Sequence, residues 1–223
     1  MQKKTKITDT KFWSVLTLAG NAIGLNLTFL ICCLPIVTIG PALCGLYSGV
    51  RYMIKQDGWF RGFRAGFRTH WIRSSIVGIF YVAFMYFYVL RDLNDVIATY
   101  QTQGVGLEAI ITFGLIGLFV TMLCSSLWPL NIYIPGNAAD WLRNAVNLVF
   151  KAPGPVFVAA CLFLAPIVLI LYFFTLAWYL LIVIIGGWFV FFAFIATMFY
   201  KDHLIDLLNE YRAEHPEEDE DYE

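Results

Sequence analysis

The sequence predicts an all-α, polytopic helical membrane protein with about six transmembrane helices and two interfacial amphipathic helices. Hydrophobic residues make up 60% of its 223 residues and charged residues only 14%. Average soluble domains are roughly 45–50% apolar and about 25% charged, so a soluble fold of this length could not bury these side chains. The uncharged residues are also gathered into long runs, and the basic residues between the runs are unevenly distributed.

The spans follow from the lengths of the uncharged runs. One span needs about 20 residues, because a helix rises ~1.5 Å per residue across a hydrocarbon core of ~30 Å. Four runs are present, at 12–50, 74–90, 109–139 and 152–200, with 39, 17, 31 and 49 residues. The first and last runs are therefore predicted to hold two spans each, which gives six spans, with five as the alternative.

Prolines and glycines place the turns inside the two longest runs. Pro35, Gly40 and Pro41 predict a turn between spans at about 13–34 and 41–55. Because the second of these is short, the sequence leaves open whether segment 35–55 crosses the membrane fully. In the last run, we place the turn near Phe173–Trp178, with Gly186-Gly187 as the competing position.

The basic residues predict the orientation. With six spans and both termini in the cytoplasm, fourteen of the fifteen lysines and arginines lie inside, and Arg91 alone lies outside. The N-terminal lysines precede an apolar stretch that is too long for an ordinary secretion signal, so we expect a retained anchor. This pattern is typical of a multi-pass protein of the bacterial cytoplasmic membrane.

Residues 57–71 combine aromatic and basic side chains at helical spacing. The pattern predicts an interfacial helix with its aromatic side chains in the membrane and its arginines toward the headgroups. This predicted surface consists of Trp59, Phe60, Arg61, Phe63, Arg64, Phe67, Arg68 and Trp71. It serves either as an anchor or as a docking surface for anionic lipid or a cytoplasmic partner. Because the membrane requires the aromatic side chains, nucleic acid is not an expected partner.

A second amphipathic segment and an acidic tail complete the domain organisation. Residues 140–151 have a polar and an apolar face and predict the second interfacial helix. We divide the chain into a single transmembrane domain, 1–200, and a cytoplasmic helix extension with an acidic disordered tail, 201–223.

Chemistry-bearing motifs are sparse. The central parts of the spans contain no Asp, Glu, Lys, Arg or His, the histidines lack metal-ligand spacing, and no phosphate-binding loop is present. The five cysteines all lie in apolar runs, which favours packing over disulfides. We therefore predict a protein that is not an enzyme, with no catalytic residues, no cofactor and no metal.

Uncharged polar and turn residues are the remaining candidates for a binding site. They are Asn21, Asn26, Pro35, Thr38, Gly40 and Ser125. Polar side chains within spans usually bond across helix interfaces, so helix packing is the first interpretation. A polar pocket for a small neutral solute is the alternative.

The stretch from Leu25 to Leu43, with Asn26, Leu34, Pro35, Thr38 and Gly40, and the following Phe60, Phe63 and Phe67, resembles the YesL-like family. These are small bacterial integral membrane proteins of unknown function. The resemblance implies a role near carbohydrate uptake, because genes of the family often lie beside sugar transporters of the ATP-binding-cassette type. It implies no catalytic residues.

Three functional hypotheses follow. The first is a non-enzymatic protein accessory to a transporter or membrane complex linked to carbohydrate uptake. Its partners would be membrane lipids, another membrane protein such as an ATP-binding-cassette transporter subunit, or further copies of itself. The second is a transport component that itself passes a small neutral solute. The third is a lipid-interacting membrane enzyme, for which Asp57, Asp140 and His70 are the candidate groups.

Overall fold

The computed structural model describes residues 11–92, 95, 98, 107–134, 136–172 and 184–214. All regular secondary structure within these residues is helical, which confirms the predicted all-α class. The eight α-helices are α1 (Lys11–Cys32), α2 (Ile39–Ile54), α3 (Trp59–Arg68), α4 (Trp71–Phe84), α5 (Leu107–Tyr133), α6 (Ala138–Lys151), α7 (Pro153–Tyr172) and α8 (Phe189–Glu214).

Four of the helical stretches are long and apolar enough to cross a membrane. They are Val15–Cys32, Trp71–Tyr88, Gly114–Tyr133 and Gly186–Ala213. A fifth span results if α6 and α7, which meet at 104°, are counted together. Within the described residues the chain is therefore a multi-pass helical membrane protein with four to five candidate spans rather than the predicted six.

The predicted second span accounts for much of this difference. Helix α2 has 16 residues and a length of about 24 Å, less than the ~30 Å of a hydrocarbon core. Eleven consecutive residues, 40–50, are buried, because α1, α3, α4, α5 and α8 surround the helix. Helix α2 is thus the central helix of the bundle and has little need of a lipid-facing surface.

Glycines bring the neighbouring helices close to α2. A Cβ atom at Gly40 would overlap the backbone carbonyl oxygen of Ser74 in α4. At Gly45 it would meet the ring of Phe63 at 2.9 Å, and at Gly49 the side chain of Leu25. These positions accept no larger residue without a shift of the adjoining helix.

Helix α3 runs back along α2 and packs closely on it. Gly62 packs on Tyr52 and Gly66 packs on Cys44, so the two helices are antiparallel. Phe63 is only 4% exposed, and Trp59 packs against Gly24 of α1. For Phe63 the prediction that the aromatic side chain enters the lipid is therefore wrong, since Gly45 of α2 creates space for its ring within the protein.

The second predicted amphipathic helix is present as α6. Its Asn137 and Asp140 form a capping box at the start of the helix. Trp141, Ala145, Leu148 and Val149 are buried along its apolar face, and the polar Asn144 is buried as well. The apolar face packs against α5 and α8, so this helix too is held by protein contacts.

The end of the chain continues the last span. Helix α8 runs through Lys201 to Glu214 without interruption, and Leu204, Leu207 and Tyr211 are buried along one face. Just before it, Gly187 has a φ of 147°, which marks a break at the competing turn position. The preferred turn at 173–178 and the acidic tail lie outside the described residues.

The outside of the bundle is apolar. Large exposed side chains recur along α1, α4, α5, α7 and α8, among them Ile23, Ile76, Leu115, Phe157 and Phe191. A soluble monomer rarely exposes continuous apolar surface on this scale. Lipid is the solvent that these helices require.

Cysteine labelling tests whether α2 connects the two sides of the membrane. In a variant without native cysteines, we expect Val37→Cys to react with an impermeant maleimide from outside the cell. Asp57→Cys should react only after the membrane is opened if the positive-inside pattern of the basic residues after α2 predicts the side of this turn correctly. Labelling of both positions from outside would show that segment 35–55 enters and returns.

Candidate binding groove beside the fourth helix

A buried polar network joins α4 to α2 and α5. The guanidinium of Arg73 donates to Asn131 Oδ1 at 2.7 Å and to the carbonyl oxygen of Gly136 at 3.0 Å. Asn131 Nδ2 in turn donates to Ser74 Oγ at 2.9 Å and points toward Cys44 Sγ at 3.4 Å. Asn131 therefore accepts a hydrogen bond from Arg73 through its Oδ1 and directs its Nδ2 donor toward Ser74 and Cys44.

The aromatic ring of Trp141 completes the surroundings of Arg73. The Arg73 guanidinium carbon lies 4.8 Å from the ring centroid, a cation–π distance. Trp141 Nε1 donates to the carbonyl oxygen of Leu127 at 2.7 Å, which fixes α6 on α5. Among the described residues, no carboxylate pairs with Arg73. The guanidinium of Arg73 is therefore bound by neutral acceptors and an aromatic ring, and these contacts do not neutralise its positive charge.

Arg73 borders a groove of about 740 Å³ between α4 and α6. Arg68 and His70 provide its other ionisable side chains, and Leu127 of α5 contributes to the wall. The remaining lining is chiefly apolar, with Trp71, Ile72, Ile76, Val77, Ala138, Trp141 and Leu142. None of the described lining residues carries a carboxylate, so the groove is basic at its polar part and apolar elsewhere.

At neutral pH, His70 contributes to the groove through its backbone conformation more than through its charge. It precedes α4 with a φ of 46° and a ψ of 46°, the left-handed conformation that few residues other than glycine and asparagine adopt readily. Burial, and to a smaller extent the adjacent Arg73, lower the pKa of His70. The imidazole is therefore neutral at pH 7, and the two arginines supply the positive charge.

The groove opens toward the lipid-facing surface. Ile72 is 71% exposed, Ile76 62% and Leu142 55%. Ile72 and Ile76 belong to the candidate span that begins at Trp71, whereas Arg68 precedes it. The groove thus extends from the residues just before this candidate span along its first turns.

The predicted polar pocket is not assembled. Asn21 lines a separate groove with Trp13, Asp57 and Met198, and this groove includes none of the other five candidates. Asn26 is fully buried, and Gly40 packs on α4.

Two further candidates use their hydroxyl groups for local structure. Thr38 donates to the carbonyl oxygens of Cys32 and Pro35 in the turn before α2. Ser125 donates to the carbonyl oxygen of Met122 within α5. Pro35 itself is exposed.

The predicted basic-aromatic surface is divided between two environments. Arg61, Arg64 and Arg68 are exposed on α3 together with Phe60, and Trp71 is exposed at the start of α4. Phe63 is buried, and Trp59 and Phe67 are half-buried against the bundle. Arg68 and Trp71 contribute to the groove, but Arg73, Trp141 and Leu142 were not predicted to be part of any site. Three arginines therefore form a solvent-facing strip on a helix whose other face is fixed.

Nothing in the described part of the chain resembles a metal centre, since no three metal-ligating side chains cluster there.

A further groove lies between α6 and α8, where Lys151 pairs with Glu210 at 2.7 Å. Both groups are about half exposed, so this pair contributes little to stability.

The comparison with protein families gives one result. Residues 22–91 match the family described as "Protein of unknown function, DUF624". The DUF624 match includes α2, α3, α4 and all the groove residues between Arg68 and Val77, but not Asn131 or Trp141. It also contains the residues on which the resemblance to the YesL-like family rests. No curated protein and no solved structure matches the chain.

Proposed function

We propose that this protein is a non-enzymatic accessory subunit of a membrane complex, and that it binds its partner through the basic strip on α3. The DUF624 match includes the whole of this helix. In line with the YesL-like resemblance, the proposed partner is a transporter subunit that serves carbohydrate uptake. The proposed location is the bacterial cytoplasmic membrane, with both termini in the cytoplasm.

The exposed arginines on a fixed helix carry this proposal. Arg61 and Arg64 point away from the bundle, while Phe63 between them is buried on α2. Because close glycine contacts hold α3 against α2, little backbone conformational entropy is lost when a partner binds there. A strip of arginines favours an acidic surface, and charge complementarity increases both specificity and association rate.

Charge reversal tests the proposal. We expect Arg61→Glu/Arg64→Glu to lower recovery of the partner at least tenfold when the protein is purified from its host in mild detergent, because like charges would then face each other. Lys201→Glu, at an exposed position on α8, is the control and should retain the partner. Quantitative mass spectrometry of the purified material measures the ratio.

Two outcomes would contradict the accessory role. One is that the wild-type protein is recovered from its host with no other protein. The other is that Lys201→Glu and the double variant lose the partner equally, since this would indicate a general charge effect. Self-association through the strip would instead show as a change in oligomer mass that the double variant abolishes.

A further inference from the structure

We propose that the groove between α4 and α6 binds one anionic phospholipid, with the phosphate at Arg68 beside Arg73 and one acyl chain along Ile72, Ile76 and Leu142. The distribution of charge and apolar surface supports this assignment. The basic residues adjoin the start of the candidate span, and the exposed apolar walls extend into it.

The polar part of the groove suits a phosphate. Arg68 is exposed and available, and a guanidinium can donate two parallel hydrogen bonds to phosphate oxygens. Arg73 remains bound to Asn131 and Gly136, but its charge is not neutralised by a carboxylate of the described chain. The ligand would therefore supply the missing negative charge without displacing the Arg73 hydrogen bonds.

The apolar part suits an acyl chain rather than a peptide. Ile72 and Ile76 are one turn apart and therefore lie on the same face of α4. Leu142 faces the same groove from α6. Beyond the first turn of each helix, at Ile76, Val77 and Leu142, the walls offer no free backbone donors or acceptors for a peptide, because these backbone groups are paired within the helices. A hydrocarbon chain requires none.

The charge experiment compares two arginines of the same helix. The full-length protein is delipidated in detergent and titrated with phosphatidylglycerol, and bound lipid is counted by native mass spectrometry. We expect Arg68→Gln to weaken binding of the first lipid about tenfold, as the loss of a charge-assisted hydrogen bond predicts. Arg61→Gln removes the same charge outside the groove and should change binding less than twofold.

The steric experiment compares adjacent alanines at the start of α6. Ala138 lines the groove, whereas Ala139 is exposed and does not. We expect Ala138→Trp to fill the groove and abolish the first binding event, and Ala139→Trp to preserve it. Both variants should elute as the wild-type species in size-exclusion chromatography, which separates occupation of the groove from misfolding.

The ligand series distinguishes a phospholipid from other occupants. Binding of phosphatidylglycerol at least tenfold tighter than phosphatidylcholine, with no binding of soluble glycerol phosphate, would support the proposal. Equal retention of the two lipids, equal binding of glycerol phosphate, or equal effects of the paired variants would overturn it. Association of two copies through the groove, visible as a dimer that Ala138→Trp abolishes in the absence of lipid, would also overturn it.

Discussion

Gly40→Ala is expected to destabilise the protein strongly, because the added methyl group would overlap the backbone of α4. The Cβ atom of the new alanine would overlap the carbonyl oxygen of Ser74. A backbone atom cannot move out of the way by a change of side-chain rotamer. Overpacking of a core commonly costs about 1–3 kcal/mol, and a clash with backbone belongs at or above the upper end. The apparent melting temperature in detergent, followed by size-exclusion chromatography, measures the effect.

A series of glycine substitutions makes this prediction specific. At Gly66 the new Cβ would lie 2.6 Å from the carbonyl oxygen of Cys44, and at Gly20 it would meet nothing within 4 Å. We therefore expect stability to fall in the order Gly20→Ala, Gly66→Ala, Gly40→Ala. The first should be neutral or stabilising by up to about 1 kcal/mol, since alanine favours a helix over glycine. Equal melting temperatures across the series would refute the proposed packing.

The same glycines explain which parts of the fold the sequence could predict. Long uncharged runs require helices in lipid, so the all-α class and the main spans follow from composition and run length. The glycines just before and within α3, at positions 58, 62 and 66, recur every four residues. Glycine ordinarily weakens a helix, by about 1 kcal/mol relative to alanine. In the structure, Gly62 and Gly66 instead allow close approach to α2, which is the usual role of small residues at four-residue spacing in membrane proteins.

The groove could not be predicted in the same way. Its polar part depends on contact between Arg73 and Asn131, which are 58 positions apart, and on Trp141 from a third helix. Periodicity within one helix contains no information about such pairs. The one available sequence signal was an arginine directly beside the uncharged run 74–90, which we assigned to the positive-inside pattern alone. A charge at that position serves both orientation and the network.

The glycine contacts and the polar network also depend on each other. Gly40 permits α4 to approach the start of α2, and this approach brings Ser74 within 3.5 Å of Cys44 Sγ. Asn131 from α5 then bonds to Ser74 and Arg73 together. The three helices meet at one point, so a change at either feature should alter the groove as well as stability.

Asn131→Leu should therefore have the second large effect. The substitution retains a side chain branched at Cγ, with a larger volume, but removes the acceptor for Arg73 and the donor to Ser74. Hydrogen bonds to charged groups contribute about 1.5–3 kcal/mol each, and a partly buried guanidinium left without its acceptor also bears a desolvation cost. We expect a loss of about 2–4 kcal/mol, measured as the shift in melting temperature or in detergent-resistant folded fraction.

A second buried asparagine provides the matched control. Asn144 is buried in α6, and its Nδ2 has no hydrogen-bond partner. Asn144→Leu should consequently be neutral or stabilising, because it removes a buried polar atom that gains nothing from burial. Comparable losses for both leucine variants would show that the shape of the side chain, and not the hydrogen bonding of Asn131, determines stability.

Restoring an acceptor at position 131 isolates the contribution of the Arg73 charge. Asn131→Asp retains an oxygen for the guanidinium and adds a negative charge, so we expect it to recover most of the stability that Asn131→Leu loses. In a double-mutant cycle, Asn131→Leu should cost far less when Arg73 is already methionine, with a coupling free energy of at least about 1.5 kcal/mol. The aspartate should also neutralise the groove and weaken its binding of phosphatidylglycerol. Gain of stability with unchanged lipid binding would mean that Arg73 holds the helices together but contributes nothing to the electrostatics of the groove.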